Sequence, residues 1–129
     1  MQNKLEVSIE NDHVLVIADG DKDFRFMDKM WRNVVAVCEE HGCFNVLGLA
    51  NTTTPLEAVE GYETAALFQE LNIDQRYRIA WVEMNEESRD LLDFIQTVLA
   101  NRGLPGRVFD TEAEAREWLL VFEEDLASS

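Results

Sequence analysis

Cations are scarce in this chain. Eleven lysines and arginines face 26 aspartates and glutamates, a formal net charge of −15 over 129 residues. Repulsion at long range sets nucleic acid and anionic membrane surfaces aside as expected partners. The basic residues present, including Arg25, Lys29, Arg32, Arg76 and Arg78, are outnumbered throughout. Cysteine is nearly absent. Cys38 and Cys43 form neither a Cys-x-x-Cys motif nor a metal-ligand spacing, so two free thiols, buried or half-buried, are expected. No apolar run is long enough to span a bilayer, and no membrane insertion is expected. Met1 to Glu6 lacks the basic and apolar regions of a secretory leader, which points to the cytoplasm.

Catalytic signatures are missing too. The six glycines are scattered and form no phosphate-binding loop. No Gly-x-Ser-x-Gly occurs, and neither His13 nor His41 has a nucleophile in sequence context. Cys43 is close to His41, but neighbours along a chain leaving a helix seldom align as a thiol–imidazole pair. His41 is accounted for as a cation at a helix C-terminus. Asp19, Asp21 and Asp23 resemble the opening of an EF-hand loop, which fails for want of a glutamate at its twelfth position. A turn and a helix cap account for them. No catalytic residue, metal site or cofactor is expected.

What is present is a run of regular elements. A hydrophobic fraction of 47% with 29% charged residues suffices for one folded domain over residues 1–129. Leu5, Val7 and Ile9 alternate with polar residues, as in a strand with one wet face. Asn11-Asp12 tolerates positive φ and predicts a tight turn. Val14 to Ala18 is continuously apolar and reads as a strand buried on both faces. Met27, Met30, Trp31, Val34, Val35 and Cys38 form a helical stripe that Gly42 ends. Phe44 to Leu49 gives a third strand. Thr54, Pro55 and Glu57 open the next helix as N-cap, first-turn proline and capping-box partner, and Gly61 predicts a kink within it.

The chain then repeats one unit. Tyr77 to Glu83 is an apolar strand, Asn85 caps a helix whose inward face is Leu91, Leu92, Ile95, Val98 and Leu99, and Gly103 stops it. Arg107-Val108-Phe109 is the last strand, and Thr111 with Glu114 caps the last helix. The order ββαβαβαβα describes an α/β fold: a mixed sheet of about five strands, the first antiparallel, packed by four helices.

The opening hairpin, Arg78-Ile79-Ala80-Trp81-Val82, and Arg107-Val108-Phe109-Asp110 with Glu112-Ala113-Glu114-Ala115 and Trp118-Leu119 resemble the SpoIIAA-like group of the STAS superfamily, small proteins related to anti-sigma-factor antagonists. The resemblance covers most of the chain and implies a βα superhelix. In antagonists of this superfamily a serine or threonine after the third strand accepts phosphate from a partner kinase. The corresponding stretch here is Thr52-Thr53-Thr54-Pro55, without the family's Asp-Ser-Ser-Gly-Leu sequence, and an N-cap role alone accounts for Thr54.

Two functions follow. The first is a non-enzymatic interaction or regulatory module acting through a protein partner, its surface at Thr52, Thr53, Thr54 and Glu57. The second uses the fold shared with Sec14-type lipid-binding domains: a carrier of a small apolar ligand or lipid, with Met27, Met30, Trp31, Tyr62 and Phe68 lining a pocket between the first two helices and the sheet. An edge strand, and Trp118 with Phe122 near the C-terminus, leave monomer and homodimer both open.

Overall fold

A computed structural model of the chain describes residues 4–20, 24–52 and 58–119. The elements are β1 (Lys4–Ile9), β2 (Val14–Gly20), α1 (Phe24–His41), β3 (Asn45–Thr52), α2 (Ala58–Glu70), β4 (Arg78–Glu83), α3 (Glu86–Asn101) and β5 (Arg107–Phe109). A fourth helix, α4, is described over 112–119. The sheet order is β1-β2-β3-β4-β5. β1 runs antiparallel to β2, and every later pair is parallel. This is the mixed five-stranded α/β architecture that the sequence implied.

Each parallel strand lies beside the next in sequence, so every crossover steps in the same direction. Right-handed crossovers repeated one way place the connecting helices on one face. Met27, Trp31 and Val34 of α1, Phe68 of α2, and Leu92 and Ile95 of α3 accordingly share one core with Val14, Val16, Val46, Ile79 and Trp81. α4 follows the last strand and covers the other face, where Ala115 and Leu119 pack on Leu47, Ala80 and Val82.

That second face is covered unevenly. Leu15 and Ile17 of β2 are half-buried, whereas Val14, Val16 and Ala18 are fully buried. The unbroken apolar run had predicted burial on both faces. The buried contacts of the described part of α4 are with β3 and β4, and Leu15 of β2 meets that cluster only as a half-buried neighbour.

Helix ends follow their local chemistry. Gly42 (φ 63°) and Gly103 (φ 70°) adopt the left-handed conformation. In each case the next N–H reaches back to a carbonyl of the last turn, Cys43 N–H to Cys38 O at 3.0 Å and Leu104 N–H to Leu99 O at 2.9 Å. Asn72 (φ 61°) does the same for α2. The Asn85 side chain accepts from Glu87 N–H at 3.0 Å, and Thr111 Oγ1 accepts from Glu114 N–H at 3.2 Å. Thr111 therefore caps α4 as expected, with Glu114 Oε1 accepting from the Thr111 hydroxyl at 3.0 Å.

Two local expectations differ. The β1–β2 connection is closed by Glu10 N–H donating to His13 O at 2.8 Å. Among the described residues only Asn72 and four glycines have positive φ, so Asn11 and Asp12 turn without it. α2 runs unbroken through Gly61. A glycine costs about 1 kcal/mol in a helix interior, and the burial of Ala65, Leu67 and Phe68 outweighs that.

Candidate functional site

The carboxyl ends of the parallel strands form the edge where α/β sheets bind ligands. β3 is longer than its apolar pattern implied and ends at Thr52, whose side chain is buried (2% exposed). The reason lies on the neighbouring strand. Glu83, the last residue of β4, is completely buried. Its Oε2 accepts from Thr52 N–H at 3.0 Å and from Asn85 N–H at 3.1 Å. Its Oε1 accepts from the Thr52 hydroxyl. The Thr52 carbonyl in turn accepts from Asn85 Nδ2 at 2.7 Å and Ser88 Oγ at 3.0 Å.

This cluster welds the ends of β3 and β4 to the start of α3. A buried carboxylate is tolerated only when its acceptor sites are filled, and here three donors converge on it. Arg89 extends the link: one nitrogen donates to Glu83 O at 3.2 Å and another lies 3.5 Å from Asp110 Oδ1, at the entry to α4. Met84, directly after Glu83, is 56% exposed.

Thr52 thus anchors the strand from inside. Thr53, Thr54 and Glu57 lie outside the described residues, as do Asp21 and Asp23 of the acidic run. Among the described residues no group of three or more His, Cys, Asp or Glu side chains is placed to hold a metal ion. No described helix is long and apolar enough to cross a membrane. No protein-family model matches the chain, and no curated protein matches it either.

A cavity of about 50 Å³ lies between α1, α2, α3 and the sheet. Met27, Trp31 and Phe68 line it, joined by Trp81, Leu92 and Leu99. Met30 is buried but outside the lining. Tyr62 is 51% exposed on α2 and packs edge-on against Phe94 of α3, 6.0 Å between ring centres, so it corrects to a surface residue. The rings inside are ordered by contact: Trp31 meets Phe68 edge-on at 4.8 Å and Trp81 at 5.5 Å.

Both cysteines are free, Cys38 buried and Cys43 half-buried. Burial pushes the Cys38 thiol up to about 12, which leaves it protonated and inert at neutral pH. His41 is exposed in the last turn of α1, where a cation is favourable.

Sequence reasoning passed over Glu83, Asn85 and Ser88 as site residues. One signal was available: a glutamate closing the apolar run Ile79-Ala80-Trp81-Val82 must either emerge into water or be buried with partners.

Proposed function

We propose that the protein is a non-enzymatic interaction and regulatory module of the STAS type, acting on a protein partner through the carboxyl end of its sheet. The observation that carries this is the Thr52–Glu83 anchor. It fixes the point from which Thr53, Thr54 and Glu57 continue, so a partner meets a surface whose base is already ordered and loses less entropy on binding. The exposed Met84 adds an apolar contact beside that base. Replacing Thr53, Thr54 and Glu57 together by alanine is expected to abolish partner capture by the immobilised protein while lowering its stability by no more than the loss of one helix cap, about 0.5–2 kcal/mol. Undiminished capture overturns the assignment.

The cavity favours a second reading, a carrier of a small apolar ligand. Its 50 Å³ admits only a few heavy atoms, against about 300–1,000 Å³ for sites that enclose drug-sized molecules. A whole lipid would require α2 and α3 to separate. Native mass spectrometry of protein from its own cells tests this: a small apolar adduct supports it, and a bare chain contradicts it.

A further inference from the structure

The opposite end of the sheet carries a different chemistry. A groove of about 580 Å³ opens at the amino ends of β4 and β5, a volume within the range of small-molecule sites. Arg76, Arg78 and Arg107 line it with Gln96 and Trp118, and among the described residues no aspartate or glutamate lines it. Arg76 is paired with Asp74 at 3.1 Å, and Arg78 and Arg107 add positive charge beyond that pair in a chain of net charge −15.

The parallel pairing of β4 with β5 creates it. Ala80 is the register partner of Arg107, which brings Arg78 and Arg107 to the same face. Both guanidinium groups lie against one indole, Arg78 at 3.5 Å and Arg107 at 5.9 Å from the Trp118 ring. The indole gathers both cations at one side of the groove, and Arg78 also donates to the Trp118 carbonyl at 3.5 Å. Burial first, and then repulsion from Arg107, hold the Arg78 guanidinium below its usual range. Arg107 has no carboxylate within ion-pair distance among the described residues.

Gln96 adds a neutral donor. Its side-chain oxygen accepts from Val108 N–H, which leaves the amide NH₂ as its remaining hydrogen-bonding group. Gln96, Ile79, Gly106 and Arg107 line both this groove and the apolar cavity. A cationic groove and an apolar cavity therefore share a wall.

We propose that the groove binds a small amphiphilic carboxylate, its head between Arg78, Arg107 and the Gln96 amide and its apolar end turned into the adjoining cavity. This inference rests on the second, carrier reading and names its ligand class. All three tryptophans line one or other space, Trp31 and Trp81 the cavity and Trp118 the groove, so their emission reports on occupancy.

The test titrates the full chain with hexanoate, hexanol and inorganic phosphate, reading tryptophan emission and the backbone amide signals of Gly106 and Arg107. Hexanoate is expected to saturate at least about tenfold more tightly than hexanol, the effect of one charge-assisted contact. Arg107→Ala should lower hexanoate to the affinity of hexanol. Equal affinities of hexanoate and hexanol in the unaltered chain would overturn the anion site and leave the carrier standing. Phosphate binding as tightly as hexanoate would overturn the amphiphile. The absence of any saturable response would remove inference and carrier together.

Discussion

Gly48 on β3 and Trp81 on β4 are register partners, and the indole occupies the space in which residue 48 would carry a side chain. A Cβ at Gly48 would lie 2.0 Å from Trp81 Cε3. The same ring packs on Trp31 and walls the apolar cavity, so this one missing methyl sets the shape of the core beneath α1 and α2.

Gly48→Ala should therefore displace the indole. Overpacking of this kind costs roughly 1–3 kcal/mol, and the cavity that Trp81 lines gives the ring room to move into. Chemical denaturation should show a lower midpoint together with altered tryptophan emission. An unchanged midpoint would mean that the indole does not lie on Gly48.

Thr52→Val keeps the shape of the strand end and deletes the hydroxyl donor to Glu83. The carboxylate, buried and short of one partner, should cost about 1–3 kcal/mol. Glu83→Ala leaves the Thr52 and Asn85 donors without an acceptor and should cost more, at least about 3 kcal/mol. Both are checked by urea denaturation with a constant slope. Loss of under half a kilocalorie in Glu83→Ala would show that the cluster is not a structural anchor.

Alkaline pH should weaken the fold through Cys38 and Tyr77. Burial raises the Cys38 thiol from its ordinary 9.0 to about 12, and the Tyr77 hydroxyl from 10.0 to about 12. Between those values the unfolded chain releases protons that the folded chain keeps, so stability is fully present below pH 9 and falls as pH rises towards 12. Cys38→Ala should flatten the lower part of this decline. With a thiol reagent at pH 8, Cys43 should react at once and Cys38 only on unfolding; equal rates would contradict its burial.

Much of the fold was legible because its signals are local. Gly42, Gly103, Asn85 and the Thr111–Glu114 pair each act within one helical turn, and each does what its residue type implies. The β1–β2 pairing and the parallel repeat followed from patterning and crossover handedness. What escaped depends on residues distant in sequence. β3 extends through Ala50, Asn51 and Thr52 because Glu83, 31 residues further on, holds its end. The cavity wall drew Leu92 and Leu99 from a stripe that reads as ordinary core. Arg76, Arg78, Arg107 and Trp118 look like scattered residues in an acidic chain until β4 pairs with β5.

On the proposed function, a protein partner engages the carboxyl end of the sheet. A photo-crosslinking amino acid placed at position 57 in living cells tests it most directly, with position 29, on the exposed face of α1, as the comparison. One discrete crosslinked partner is expected at position 57 and none at position 29. No product at position 57, or the same pattern at both positions, would contradict it.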